Sequence, residues 1–174
     1  ADKLLQHLLA AGRSGMAESG VARPLFLKMA PDLAVADIRI VVERCLADGV
    51  DGIIATNTTI SRPDDLVSAA AGQAGGLSGL PLFEMATSVL AEVATMAQGK
   101  LAIVGVGGVA SGWQAYAKIL VGADLVQIYT GLALAGPGLP QKIMRDLAQL
   151  LTRDGCADVG AAKGQIPNAQ KAIS

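Results

Sequence analysis

Short apolar runs recur along the chain, and a segment with helical periodicity follows each of them. The apolar runs lie at residues 24–30, 52–57, 101–106 and 125–130. Continuous runs of this length are typical of strands that are buried on both faces of a parallel sheet. They predict four β-strands.

The segments after these runs place apolar residues at helical spacing. The first such helix is expected to start at a capping Asp32 and to end at Gly49. Further helices are predicted near residues 83–97, behind Ser111 and near residues 139–151, and a leading helix precedes the first strand. The resulting order, α-βα-βα-βα-βα, requires right-handed crossovers and a parallel sheet.

Four βα units make half of a (β/α)₈ TIM barrel, although an open four-stranded sheet has the same order of elements. Polar residues cluster where the predicted strands end, and both architectures bind ligands there. Residues 1–152 form the predicted α/β unit, and the Gly-rich residues 153–174 are expected to be a fraying C-terminal tail. Half a barrel would leave the first and fourth strands, near Phe26 and Ile128, with unpaired backbone groups. It would also expose the interior residues Ile54 and Val104.

Composition narrows the class of protein. Hydrophobic residues make up 52% and charged residues 17% of the 174 residues, which excludes a disordered chain. A net charge of -1 argues against a nucleic-acid surface, and no uninterrupted apolar run of about 18 residues predicts a membrane span. The start at Ala1 has neither a secretory pattern nor an initiator Met, so we expect a processed or cut chain.

Few residues are available for metal or triad chemistry. His7 is the only histidine, and Cys45 and Cys156 are far apart and belong to no Cys-x-x-Cys pair. A Ser-His-Asp triad and a multi-histidine metal site are therefore excluded. We expect no bound metal, and thiols that are buried or incidental.

Two glycine-containing motifs at strand ends indicate a phosphate site. The run 105–108 (Gly-Val-Gly-Gly) ends the third strand before Ser111, and 129–131 (Tyr-Thr-Gly) ends the fourth. Glycine lets backbone N–H groups converge on an anion, and barrels bind phosphate after their last two strands. A tight βα turn is the alternative. A Rossmann fingerprint is disfavoured because Ala110 stands at the third glycine position and no acid ends the next strand.

Polar residues at the first two strand ends complete the candidate site. Lys28 interrupts an apolar strand, which requires an exposed edge or a negative ligand; beside a flavin, its ammonium would stabilise the charge of the reduced ring. Residues 56–59 (Thr-Asn-Thr-Thr) can donate and accept hydrogen bonds without adding charge, or can form an ordinary turn. The glycines of 75–79 lie in a long loop, 61–81, and can wrap a ligand or act as a linker.

Several of these motifs, in order and spacing, resemble the dihydroorotate dehydrogenases. They are residues 26–33 (Phe-Leu-Lys-Met-Ala-Pro-Asp-Leu), 55–63, 75–82 (Gly-Gly-Leu-Ser-Gly-Leu-Pro-Leu), 103–112 and 125–130. The resemblance runs from about residue 24 to residue 151. The Ala-Pro-Asp and Thr-Asn-Thr-Thr forms are similar to the class 2, quinone-linked enzymes, whereas another FMN barrel oxidoreductase is disfavoured.

The resemblance implies the C-terminal half, strands 5–8, of an FMN-dependent barrel that oxidises dihydroorotate to orotate in pyrimidine synthesis and passes electrons to quinone. By motif it assigns Asn57 and Thr58 to the substrate, and it assigns the flavin to Lys28, Thr56, Gly79, Gly108, Tyr129 and Thr130. The family's catalytic serine has no counterpart in this sequence, so we expect no catalytic base here and a need for the N-terminal half. Family members of this class lie peripherally on the cytoplasmic side of the inner membrane. The alternative is a non-catalytic half-barrel fragment that binds flavin or phosphate.

Overall fold

The computed structural model describes residues 2–64, 66–69, 71–166 and 172–173. Within these residues the elements alternate as predicted. The strands are β1 (Phe26–Met29), β2 (Gly52–Ala55), β3 (Ala102–Gly105) and β4 (Leu125–Val126). The helices are α1 (Asp2–Ser19), α2 (Val35–Ala47), α3 (Phe83–Ala97), α4 (Gly112–Leu120), α5 (Thr130–Ala135), α6 (Leu139–Arg153) and α7 (Val159–Ala162), and a 3₁₀ turn, Leu80–Leu82, leads into α3.

The four strands form one parallel sheet in the order β1-β2-β3-β4, which confirms the predicted α/β class. Each strand is shorter than its apolar run. The largest difference is at the fourth, where pairing ends at Val126 and Thr130 already begins α5. One more backbone contact, from the Gln127 amide to the Gly105 carbonyl at 2.8 Å, carries the ladder toward the end of β3.

Helix boundaries agree with the sequence in part. The predicted helix behind Ser111 is confirmed, since α4 begins at Gly112. The Ser111 side chain caps it by accepting a hydrogen bond from the Gln114 amide. The Asp32 prediction is wrong: α2 begins after Ala34, without a side-chain cap, and the Asp32 carboxylate instead accepts from the Thr59 hydroxyl. Gly49 and Gly99 each lie one residue beyond the helix cap, with φ of 64° and 74°.

The main core lies between one face of the sheet and helices α2 and α3. Ile53 and Ile103 from the central strands meet Val42, Leu90 and Val93, each at most 2% exposed. Apolar packing of this kind, at about 25 cal/mol per Å² removed from water, is the main stabilising contribution. A smaller cluster joins α4 to α6 and α7. This arrangement fixes the carboxyl ends of the strands on a rigid base.

The region after Arg153 packs against α4 over much of its length. Ala162 in α7 is fully buried, and the amides of Gly164 and Ile166 donate to the carbonyls of Ile119 and Leu120 at 3.1 and 3.0 Å. The expectation of a fraying tail is therefore wrong for residues 156–166. Residues 167–171 and 174 of that tail lie outside the described residues.

The lateral ends of the sheet carry exposed apolar side chains. β1 and β4 are the edge strands, as half a barrel requires. Leu4 and Leu8 of α1 are 65% and 57% exposed at one end, and Leu125 and Leu134 are 62% and 84% exposed at the other. The expected exposure of interior residues is wrong for Val104, which is only 8% exposed between its two neighbouring strands.

Among the described residues, one segment is long and apolar enough to cross a membrane by length and composition alone. It comprises residues Leu80–Ala97, with a mean hydropathy of 1.3, and half of it is buried inside the fold. The buried side chains belong to the core between α3 and the sheet. Packing in a globular core is therefore sufficient to explain its apolar character.

Candidate functional site

A pocket of about 240 Å³ lies at the carboxyl ends of the four strands. It brings together all the site residues that the sequence predicted: Lys28, Thr56, Asn57, Thr58, Gly79, Gly108, Tyr129 and Thr130. These residues come from strand β1 and from the segments that follow β2, β3 and β4, and they span about a hundred positions of the chain. Parallel strands place their carboxyl ends at one edge of the sheet, which is why such distant residues meet.

Backbone hydrogen bonds hold the first three strand ends in register beneath the pocket. The Asn57 amide donates to the Met29 carbonyl at 2.7 Å, and the Thr56 amide donates to the Val106 carbonyl at 3.1 Å. The peptide bond between Ala55 and Thr56 is cis. The segment after β2 is thereby tied to both of its neighbours.

The three polar side chains of residues 56–58 differ in their exposure and in their hydrogen bonding. Thr56 is 1% exposed, and its hydroxyl donates to the Asn57 carbonyl at 2.9 Å. The side chains of Asn57 and Thr58 are exposed, and neither makes a hydrogen bond within the described part of the chain. An unsatisfied amide and a hydroxyl can read both donors and acceptors on a ligand without adding charge.

Lys28 lies on the edge strand with its side chain exposed to the pocket. In the register of the sheet it pairs with Ile54 of β2. An edge position resolves the apparent anomaly of a lysine within an apolar run, because the ammonium stays hydrated. It is also a cation available to a negatively charged ligand.

Gly107 and Gly108 form the part of the pocket best suited to an anion. Their φ angles are 105° and 73°, and a Cβ on Gly108 would lie 2.7 Å from the backbone nitrogen of Phe83, so only glycine fits. Among the described residues, no acceptor satisfies the amide N–H of either glycine. Orphaned amides in a glycine-rich turn are the donor set that a phosphate uses.

The long loop returns to the pocket beside β4. The Thr130 hydroxyl donates to the Ser78 hydroxyl at 2.8 Å, and a Cβ on Gly79 would lie 3.3 Å from the Thr130 methyl group. Tyr129 borders the pocket with 83% of its side chain exposed, so the ring does not cover the opening. The side of the pocket beside β4 is therefore formed by residues about fifty positions apart in sequence.

Some lining residues were not singled out from the sequence. Gln127 borders the pocket. It could have been found from the sequence because it is a polar residue within the fourth apolar run, as Lys28 is in the first. Leu82 and Val109 also line it, and nothing distinguishes them from core residues in the sequence. Among the described residues, no group of three or more His, Cys, Asp or Glu side chains lies close enough to hold a metal ion.

A buried lysine lies beneath the glycine turn and has no counterpart in the sequence predictions. Lys118 of α4 is fully buried, and its Nζ has no hydrogen-bonding partner within the described residues. The ammonium lies 5.2 Å from the centre of the Phe83 ring. Burial lowers the pKa of Lys118 to about 7.

These features define an α/β protein with a candidate ligand pocket at the carboxyl ends of its parallel strands, where barrels and open sheets of this class bind their ligands. Residues 2–151 match the sequence model of the family described as dihydroorotate dehydrogenase. The chain belongs to the dihydroorotate dehydrogenase family.

Relatives and solved structures agree with this assignment. A "Dihydroorotate dehydrogenase (quinone)" of Rhodospirillum rubrum is 49% identical over 162 residues, which is 92% of this chain and 44% of the relative. One from Cereibacter sphaeroides (strain KD131) is 52% identical over 84% of this chain and 42% of its own length. The ligand-free DHODH structure from Eimeria tenella superposes with a TM-score of 0.81 at 38% identity, over 83% of this chain and 40% of that one. The chain thus spans less than half the length of these relatives and corresponds to part of their barrel.

Proposed function

We propose that this chain forms the flavin- and substrate-binding part of a quinone-linked dihydroorotate dehydrogenase, which oxidises dihydroorotate to orotate in pyrimidine synthesis. The observation that carries the proposal is the single pocket in which all the predicted site residues meet. The family of the chain and its quinone-type relatives support the same activity.

The pocket suits flavin mononucleotide at both ends of that molecule. The orphaned amides of Gly107 and Gly108 are suitable donors for its phosphate, and Tyr129 and Thr130, which line the same pocket, are proposed to lie near that group. Lys28 and Thr56 are proposed to contact the ring system, and Gly79 is proposed to hold the rest of the molecule. The flavin would supply a hydride acceptor for the substrate. The Lys28 ammonium would stabilise negative charge on the reduced ring.

Asn57 and Thr58 are proposed to bind the carboxylate side of the pyrimidine. Their free amide and hydroxyl groups can orient a ring that carries both N–H donors and carbonyl acceptors. Such neutral contacts hold a substrate without opposing the charge that develops on the flavin.

Catalysis needs more than this chain supplies. The proposed proton acceptor of the class 2 enzymes is a serine outside this sequence, in the N-terminal half of the barrel. Quinone is the proposed electron acceptor, with peripheral attachment to the membrane as for the quinone-type enzymes. We therefore expect the 174-residue chain alone to show no turnover of dihydroorotate.

Titration with flavin mononucleotide tests the proposal directly. Quenching of flavin fluorescence by the purified chain gives the affinity, and Lys28→Ala should weaken it about tenfold, or about 1.4 kcal/mol. Lys100→Ala removes an exposed lysine outside the pocket and serves as the matched control. Unchanged affinity in Lys28→Ala would remove our role for that residue.

A second candidate function is a half-barrel that binds phosphate or flavin without catalysis. The orphaned amides of the glycine turn support binding by themselves, whatever the rest of the protein does. Dihydroorotate-dependent bleaching of the bound flavin separates the two. Bleaching only when the N-terminal half of the R. rubrum relative is added supports the enzyme. Bleaching by the chain alone contradicts the absence of a base.

A further inference from the structure

The arginine at the start of the long loop makes an unusual number of contacts to the backbone. The half-buried guanidinium of Arg62 lies within hydrogen-bonding distance of six carbonyl oxygens, which share its five N–H groups. They belong to both arms of the loop, the near arm (residues 59–61) and the far arm (residues 71–77). Its partners are Thr59 (3.4 Å), Ile60 (3.1 Å), Ser61 (3.1 Å), Ala71 (3.0 Å), Gln73 (3.1 Å) and Gly75 (2.8 Å). The planar guanidinium of arginine carries its N–H donors in a fixed arrangement, so it can hold several carbonyls in one geometry. The ammonium of a lysine has no such fixed arrangement of donors.

The segment that Arg62 holds lies directly against a proposed substrate-binding residue. Thr59 and Leu77 pair through two backbone hydrogen bonds of 3.1 and 2.7 Å. Next to this pair, Gly76 approaches Thr58 so closely that a Cβ would lie 1.9 Å from the Thr58 hydroxyl oxygen. The bond from Arg62 to the Gly75 carbonyl therefore fixes the backbone that packs on Thr58.

The near arm of the loop has a second anchor. The Asp32 carboxylate, after β1, accepts from the hydroxyls of Thr59 and Ser61 at 2.5 and 3.1 Å, and from the Ile60 amide at 3.3 Å. These bonds hold residues 59–61 in place, and Arg62 ties residues 71–75 to them. Ser78 and Gly79 then continue from the far arm into the pocket.

We propose that Arg62 is a positioning residue for the substrate side of the pocket, acting through the backbone of residues 71–77 on Thr58. The proposal rests on the function proposed above. Without the guanidinium, residues 71–75 lose the hydrogen bonds that hold them to residues 59–61, and the released backbone regains conformational entropy. Thr58 then loses the packing partner that limits its rotation.

The test compares Arg62→Ala and Arg62→Lys with Arg39→Ala, which removes an exposed arginine of α2. Hydrogen–deuterium exchange of the 174-residue chain reports the order of residues 59–79. Titrations with flavin mononucleotide, and then with orotate, report the two sides of the pocket. We expect exchange in 59–79 to accelerate at least about tenfold in both Arg62 variants, with α3 unchanged. Orotate affinity should fall about tenfold, and flavin affinity less than about threefold.

The outcomes separate this proposal from the proposed function. Unchanged exchange in Arg62→Ala, or wild-type behaviour of Arg62→Lys, overturns the role of the guanidinium fork. Loosened exchange with unchanged orotate affinity overturns the link to the substrate site and leaves the proposed function standing. A wild-type chain that binds neither ligand overturns the proposed function, and with it the substrate role of Arg62, whereas the exchange result still decides whether Arg62 holds the loop.

Discussion

Replacing Gly108 by alanine should destabilise the fold at the glycine turn of the pocket. Gly108 has a φ of 73°, which costs an L-residue about 1–2 kcal/mol. The added Cβ would also lie 2.4 Å from the Phe83 Cβ and 2.6 Å from its Cα, at the rigid start of α3. Overpacking of this kind costs about 1–3 kcal/mol. The two effects together predict a loss of about 2–5 kcal/mol in the free energy of unfolding.

A matched glycine separates these two contributions. Gly155 has a φ of 69°, and its Cβ would meet no heavy atom within 4 Å. Gly155→Ala should therefore lose only the backbone contribution of about 1–2 kcal/mol. Urea unfolding of both variants, followed by circular dichroism, measures the difference directly. Losses that agree within about 0.5 kcal/mol would refute the close approach of Gly108 to Phe83.

Three further predictions concern the rest of the chain. The unfolded chain keeps the Lys118 proton up to its ordinary pKa of 10.5, whereas the folded chain releases it near pH 7, so the free energy of unfolding should rise from pH 7 to 9 by at most about 1.4 kcal/mol per pH unit. Lys118→Met should flatten this slope in urea titrations. Burial raises the pKa of Cys45 to about 11, which lowers the free energy of unfolding with pH only above pH 9. Tyr116→Phe removes the 2.9 Å bond from the buried hydroxyl to Asp154 and should cost about 1 kcal/mol in thermal unfolding; no change would mean that water replaces the bond. The isolated chain should associate or be poorly soluble because both lateral ends of the sheet are apolar, and light scattering that shows a stable 17.6 kDa monomer would contradict this.

The placement of Lys118 links its titration to the site. Its ammonium lies against the Phe83 ring, and the backbone of Phe83 supports Gly108 from below. A buried cation without a partner costs free energy that the surrounding fold must offset. The pH dependence of unfolding and the stability of Gly108→Ala therefore both report on the packing around Phe83.

The sequence alone determined the order of elements and most of the polar and glycine residues that line the pocket. Short apolar runs and helical stripes are local patterns, so the parallel βα units could be predicted without any knowledge of packing. Polar residues that follow such runs must gather at one edge of a parallel sheet, so Lys28, Asn57, Gly108 and Thr130 could be assigned to one site.

Only the tertiary structure decided how these parts are held. Asp32 binds Thr59, 27 positions away, instead of capping α2, and Thr130 binds Ser78, 52 positions away. Whether two such residues meet depends on the path of the loop between them, which no local pattern encodes. The burial of Lys118 and the end of β4 at Val126 likewise follow from the packing of neighbouring elements, because the energy of a contact depends on partners that are distant in sequence.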